Sequence, residues 1–357
     1  MNDNEKSLFW ELCKMKNPDN AKLYYYLKNA SPNVLGWLFF NRMQGVAYHT
    51  LYNAGMLSRV NREFRTSLQG AFLLNAEKNR SFLKCLNLVS DIMAPYNGQY
   101  ALLKGAYLCN YYPEGCRTAN DIDLLVCPED VTAVGNLLKS TGFQQGHIRN
   151  NQFVSASRAE VIESKLMRGE TVPFVLEVDL PYMQFLEIDI NFSTDYKNND
   201  DNTVKKLLDH TESLLMNNVS IKTLSKEDFF IHLCCHLYKE GTTYPWVAMK
   251  RDMTLYKYYD IYLLMEELSA FENEQLYQRA IELNLAEICS CVVIWIDALF
   301  QSKNRDLYDR ARCFIMGHEH RLNTIISPVD KRIYEYKESD IRERFFNDDR
   351  IGLLKEV

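Results

Sequence analysis

From the N-terminus to about residue 92, apolar positions recur three and four apart, through VLGWLFFNRMQGVAYHTLYNAGM and again through FRTSLQGAFLLNAEKNRSFLKCLNLVSDIM. That period matches one face of a helix, and it predicts three to five helices joined by short turns. Ser31-Pro32 has the form of a helix start, with proline in the first helical position.

At Pro95-Tyr96-Asn97-Gly98 the pattern changes. QYALLKG is short, apolar and ends on glycine, which suits a strand running into a turn. AYLCNYY has room for about two helical turns before Pro113-Glu114-Gly115 breaks it. DIDLLV reads as a second strand, followed by a helix over VTAVGNLLKSTG that opens at Pro128-Glu129-Asp130 and closes at Gly142. QFVSASR, PFVLEVDL and FLEIDINFS are further strands. Strands mixed with a few helices predict an α+β core over 93–225, with a helical segment over 1–92 before it.

From Ser225 the helical period returns, with Asp228 placed as in a capping box. It continues through DFFIHLCCHLYKE, LYKYYDIYLLMEEL and LAEICSCVVIWIDALF. A C-terminal helical domain over 226–357 is expected, its charged tail after about 325 lying at the periphery.

Composition narrows the class. With 41 basic and 47 acidic residues the net charge is −6, which argues against a protein that coats nucleic acid by its overall field. The ten cysteines fall mostly in apolar stretches and form no Cys-x-x-Cys pair, so neither a disulfide scaffold nor a zinc ribbon is indicated. The charged N-terminus lacks a sustained apolar core, and no run of about 18 apolar residues occurs. A cytoplasmic protein without a membrane partner is the expectation.

The candidate chemistry lies in the central segment. On a strand, Asp121 and Asp123 share one face, while Ile122, Leu124 and Val126 share the other. Two neighbouring carboxylates repel unless a cation lies between them, and Mg²⁺, which takes oxygen ligands and keeps positions open for phosphate, is the natural partner. A surface strand with two solvated acids is the plainer alternative. Upstream, Leu102-Leu103-Lys104-Gly105 forms a hydrophobic strand and glycine turn before a short helix, a setting for phosphate. Lys104 and Arg117 add positive charge on either side of that turn. In LEIDINF, Glu187, Asp189 and Asn191 alternate with aliphatic residues. Asp189 is the favoured third acid and Glu187 its rival. Glu177 and Asp179 run into Pro181, which suits a strand end. Phosphate-loop, nucleophile-elbow, dinucleotide and kinase signatures are absent.

LLKG, an arginine, DIDLLV and then IDIN resemble the DNA polymerase β-like nucleotidyltransferase superfamily, and within it a bacterial family of uncharacterised nucleotidyltransferases. The likeness covers about residues 30–300 and is most specific over 102–126. It implies a polymerase β-like core with a mixed sheet. It also implies Asp121, Asp123 and Asp189 as catalytic metal ligands, and Lys104, Gly105 and Arg117 as the triphosphate site. Asn191-Phe192 stands where that family has His-Trp. His232, His236 and Lys239 fall on one helical face. By the resemblance, His236 and Lys239 border the nucleotide cleft, while His232 is read as a packed histidine. Arg251, Lys257 and Asp260 are weaker candidates, and Gly317-His318-Glu319-His320 reads as a solvated turn.

The activity so implied is transfer of a nucleoside monophosphate from an NTP, by family habit ATP, to a hydroxyl or phosphate acceptor, releasing pyrophosphate, with Mg²⁺ or Mn²⁺ as cofactor. A small molecule, peptide or protein fits the net charge better as acceptor than nucleic acid does. The alternatives are a non-catalytic nucleotide-binding regulatory partner and a toxin-like enzyme acting on tRNA or protein.

Overall fold

The computed structural model describes residues 1–357 apart from 17, 195–200 and 217–218. It is a mixed α/β structure built on a mixed sheet with many helices. The N-terminal segment folds as α1 (Asp3–Leu12), α2 (Asn20–Tyr26), α3 (Pro32–Phe40), α4 (Gln44–Asn53) and α5 (Arg62–Met93). Ser31 caps α3 by accepting from the Val34 N–H at 3.3 Å, with Pro32 just inside the helix. That satisfies an otherwise unpaired donor where proline loses nothing. Asn61 caps α5 through the Phe64 N–H at 2.7 Å.

The strands β1 (Tyr100–Leu102), β2 (Asp121–Val126), β3 (Gln144–Arg149), β4 (Gln152–Ser155), β5 (Phe174–Leu180) and β6 (Met183–Asn191) form one sheet in the order β1-β2-β6-β5-β3-β4. Only β2 and β6 run parallel; the other neighbours are antiparallel. Between them lie α6 (Gly105–Leu108), α7 (Val131–Ser140) and α8 (Arg158–Arg168). The helix expected after Lys104-Gly105 is thus a single turn. The Glu177–Asp179 end of β5 shifts register against β6, and Asp179 takes φ 45°, as expected of a strand end before Pro181. The polar strand β3 and the helix α8 lacked a clear apolar period and were not expected.

Helix α9 (Asp201–Leu208) and the hairpin β7 (Thr211–Met216) and β8 (Val219–Leu224) lead into α10 (Lys226–Gly241). Ser225 accepts from the Asp228 N–H, but the Asp228 carboxylate turns to Arg279 at 2.7 Å instead of closing the box. The short α11 (Tyr244–Ala248), α12 (Leu255–Met265), α13 (Ala270–Glu282), α14 (Ala286–Phe300) and α15 (Arg305–Ile315) follow.

The charged tail is not peripheral. Strands β9 (Thr324–Ile326), β10 (Ile333–Tyr336) and β11 (Leu354–Glu356) form a small antiparallel sheet, and α16 (Ile341–Phe345) returns to the helical core. Phe345 packs 5.7 Å from Phe9 and 5.3 Å from Trp10, centroid to centroid. Arg350 meets Asp252 at 2.9 Å with both side chains buried. His318 and His320 lie exposed at a short 3₁₀ turn, as expected.

Among the described residues two large hydrophobic cores result, with a small third cluster in which Val247 of α11 packs on Ile325 and Tyr336 of the C-terminal sheet. One joins the N-terminal helices to α10–α16. The other lies beneath the sheet and takes Ile122, Leu124 and Val126 together with Phe82, Leu86 and Val89 of α5. Phe64 and Leu68, earlier on α5, belong to the first core, so this 32-residue helix spans both. Because Ile122, Leu124 and Val126 face that lower core, Asp121 and Asp123 face the opposite side of the sheet. No described helix is both long and apolar enough to cross a membrane.

Candidate active site

The parallel pairing of β2 with β6 sets Asp121 opposite Glu187 and Asp123 opposite Asp189. All four carboxylates therefore occupy one face of two adjacent strands. Asp121, Asp123 and Asp189 line a cleft of about 300 Å³ between the sheet and α10–α12, and Glu187 is not among its lining residues. Asp123 is buried, Asp189 half-buried and Asp121 exposed. Asp121 is exposed as a residue, but its carboxyl is crowded at the cleft, where desolvation and then the charge of Asp123 raise its pKa; the same two causes carry that of Asp189 well above the ordinary range. Burial and then Asp121 raise Glu187. Such shifts mark carboxylates that lack a full countercharge.

Part of that charge is met by Lys104, whose Nζ lies 2.7 Å from Asp123 Oδ1. Burial opposes the ammonium, but attraction to Asp123 outweighs it and holds the Lys104 pKa above its usual value. Lys104 also adopts φ 42°, a conformation that side chains rarely take. Asn191, on the same face of β6 as Asp189, donates to Asp123 Oδ1 at 3.2 Å. The asparagine that departs from the resembled His-Trp pattern is thus part of the acid network.

Gly105 lines the cleft, but its lack of a side chain has a packing reason: a Cβ there would sit 2.4 Å from that of Ala119. The turn is closed so tightly that only glycine lets the 118–120 segment pass over it.

Arg117 also lines the cleft, yet its guanidinium is engaged. Nε and Nη2 reach Asp260 Oδ1 and Oδ2 at 2.8 and 2.9 Å, and Tyr112 donates to the same carboxylate at 2.8 Å. Burial disfavours the charge, but Asp260 more than compensates and keeps the Arg117 pKa raised. His236 lies in the cleft with Nε2 3.5 Å from Glu240 Oε1, and Glu240 is also paired with Lys257. Burial, then Lys104 and Lys257, depress the His236 pKa well below normal, so its imidazole is neutral. Lys239 is half-buried on the same helix and does not line the cleft. His232 is buried and, among the described residues, neither ring nitrogen has a hydrogen-bond partner, which fits its reading as a packed histidine.

The weaker candidates prove central in position. Arg251, Lys257 and Asp260 all border the cleft, joined by Arg42, Trp246 and Tyr256, which sequence reasoning did not single out. Among the described residues, no three Asp, Glu, His or Cys side chains are drawn together as a ready metal-ligand set. The ammonium of Lys104 occupies Asp123 instead.

The cleft thus brings the one-sided acids of the sheet together with five cationic side chains, an arrangement suited to phosphate chemistry. The chain belongs to the family described as uncharacterised nucleotidyltransferases, whose sequence profile matches residues 30–301. No curated protein compared with the chain matches it. Among solved structures, an antigenic nucleotidyltransferase-like protein from Paracoccidioides brasiliensis is similar at 15% identity and a TM-score of 0.32, over 57% of this chain and 89% of that one.

Proposed function

We propose that the protein is a metal-dependent nucleotidyltransferase with a polymerase β-like catalytic core, moving a nucleoside monophosphate from an NTP to an acceptor hydroxyl or phosphate. The observation that carries this reading is the placement of Asp121, Asp123 and Asp189 on one face of adjacent parallel strands, opening into a cleft bordered by Lys104, Arg117 and Lys257. Membership of the nucleotidyltransferase family supports it.

The three acids suit a hard divalent cation. They offer oxygen donors only, and the raised pKa values of Asp121 and Asp189 express a charge deficit that a cation relieves. Asp121, Asp123 and Asp189 would hold Mg²⁺ or Mn²⁺, which supplies charge neutralisation to the phosphates when bound. In the reaction the acceptor oxygen bonds to the α-phosphorus as the bond from that phosphorus to the bridging oxygen breaks. Pyrophosphate leaves with the electron pair, and the acceptor proton passes toward Asp189. Lys104 shifts from Asp123 to the phosphates, and the tight Gly105 turn fixes where it stands. Arg117 and Asp260 hold one wall of the cleft rigid, and neutral His236 offers an uncharged hydrogen-bonding group beside them.

ATP is the proposed donor, and a small molecule, peptide or protein the proposed acceptor, in keeping with the acidic balance of the chain. The free, mostly buried cysteines suit a cytoplasmic setting. The test is to incubate the protein with Mg²⁺ or Mn²⁺, each α-labelled NTP and a cell lysate, and to follow label and pyrophosphate. Metal-dependent labelling that is lost in Asp121→Ala/Asp123→Ala is expected; labelling retained in that variant overturns the assignment.

A further inference from the structure

The cations that border the cleft differ in what balances them. Lys104 is paired with Asp123, Arg117 with Asp260 and Lys257 with Glu240. Arg42 and Arg251 border the same cleft and, among the described residues, neither is paired with a carboxylate. Each is held over an aromatic face instead: Arg42 lies 5.1 Å from the ring centroid of Tyr256, and Arg251 5.1 Å from that of Trp246. An aromatic face steadies a guanidinium without consuming its hydrogen bonds, leaving its donors for an anion.

The backbone places both arginines by the same device. Helix α3 ends with Met43 N–H bonded to Leu38 O at 2.8 Å and Arg42 N–H to Phe39 O at 3.0 Å, with Arg42 itself at φ 55°. Helix α11 ends with Arg251 N–H bonded to Trp246 O at 2.9 Å and Lys250 N–H to Val247 O at 3.0 Å, with Lys250 at φ 56°. These are paired 6→1 and 5→2 helix terminations, whose left-handed residue is usually glycine. The first is locked to the cleft: Asn41, fully buried, accepts from the Leu255 N–H at the start of α12 at 3.0 Å. Arginine at position 42 therefore keeps a conformation that costs a side-chain-bearing residue about 1 kcal/mol or more, and it gains no carboxylate partner in return. Strain kept where glycine would relieve it points to a role for the side chain.

We propose that Arg42 and Arg251 form a two-arginine clamp for the β- and γ-phosphates of the donor nucleotide, one arm from the N-terminal helices and the other from the C-terminal helices. This rests on the nucleotidyltransferase reading above. It adds the residues that select a triphosphate over a monophosphate and neutralise the pyrophosphate as the α–β bridging bond breaks. The acids line the same cleft, and the guanidinium groups that no carboxylate pairs among the described residues supply the positive charge that a polyphosphate tail requires.

The test compares the whole protein with Arg42→Gly and Arg251→Ala, measuring binding of the four α,β-methylene NTPs and of the four NMPs with Mg²⁺ by calorimetry. Thermal unfolding of each variant is recorded alongside. Each substitution is expected to weaken the triphosphate bound by the wild type about tenfold or more and to change the matching monophosphate less than twofold. Arg42→Gly should unfold at the same temperature as wild type or higher, since glycine relieves the left-handed backbone. Arg42→Lys should recover part of the affinity. Triphosphate binding unchanged in both variants overturns the clamp and leaves the nucleotidyltransferase reading standing. Equal losses for triphosphate and monophosphate also overturn it, by assigning the arginines to the nucleoside or to the acceptor. A wild type that binds no triphosphate overturns the reading on which the clamp rests, and the clamp with it.

Discussion

The ammonium of Lys104 rests 2.7 Å from Oδ1 of Asp123, in the position that a cation bridging the acids would contest. Asp123 is almost wholly buried, so its carboxylate needs a countercharge at all times, and Lys104 supplies one. Lys104→Ala should therefore destabilise the metal-free protein by about 3 kcal/mol, the cost of leaving a buried charge without its partner. Added Mn²⁺ should restore much of that loss, and should raise the unfolding temperature more in the variant than in the wild type. Differential scanning fluorimetry with and without Mn²⁺ decides it; an equal response in the two proteins counts against competition at Asp123.

Asp189 is pulled the other way. Its carboxyl pKa is raised by burial and by Asp123 and Asp121. A folded-state acid pKa above the unfolded value stabilises the fold at low pH and loses that contribution as pH rises through the folded pKa. At neutral pH, Asp189→Asn should accordingly stabilise the metal-free fold by about 1 kcal/mol. Nucleotidyl transfer should fall about a thousandfold, equivalent to about 4 kcal/mol of lost transition-state stabilisation. Gain of stability with loss of activity is the pattern expected of a functional charge; a variant less stable and fully active would sink the role.

Arg117 and Asp260 present a different case, because each neutralises the other inside the protein. Removing either side chain leaves a buried charge alone, so Arg117→Ala and Asp260→Ala should each cost about 3 kcal/mol or more. The double variant should fall short of the sum by about 1 to 3 kcal/mol. Urea unfolding of the four proteins measures the coupling. Additive losses would mean that the pair is not the unit the geometry describes, and would return Arg117 to the substrate.

What was legible along the chain was local. The alternation of β2 placed Asp121 and Asp123 on one face because strand geometry has a fixed period of two, and the same period picked out Asp189 and Asn191 on β6. Ser31-Pro32 announced α3 because capping chemistry lies within a few residues. The cleft wall was legible only in part: Arg117, Arg251, Lys257 and Asp260 stood out as residues, but not that Arg117 finds Asp260 143 positions away, nor that Arg42 joins them through a left-handed helix end that carries no glycine. The tail read as peripheral from its charges, but Phe345 and Arg350 find buried partners in Phe9 and Asp252, far from them in sequence. A composition window has no access to such partners. Gly105 was legible as a turn, but the reason that only glycine fits, the approach of Ala119, is tertiary.

His232 yields a prediction independent of substrate. It is buried with no hydrogen-bond partner at either ring nitrogen among the described residues, and burial, followed by the charge of Lys104, lowers its pKa to about 3. An unfolded histidine titrates near pH 6.5, so between about 6.5 and 3 the unfolded chain binds a proton that the folded chain refuses. Stability is full above that window and is lost as pH falls through it, by about 1.4 kcal/mol per pH unit. His236, also depressed by burial, adds a second contribution of the same sign. Asp121 and Asp189 oppose both, because their raised pKa values favour the fold as pH falls. The informative quantity is therefore the difference between His232→Leu and wild type, in which the shared groups cancel. Chemical denaturation at pH 7, 6 and 5 should show that difference moving in favour of the variant by about 1 kcal/mol per unit below pH 6.5. A difference that stays constant across the series would mean that His232 takes up its proton in the folded state, and that its site is wetter than the packing around it indicates.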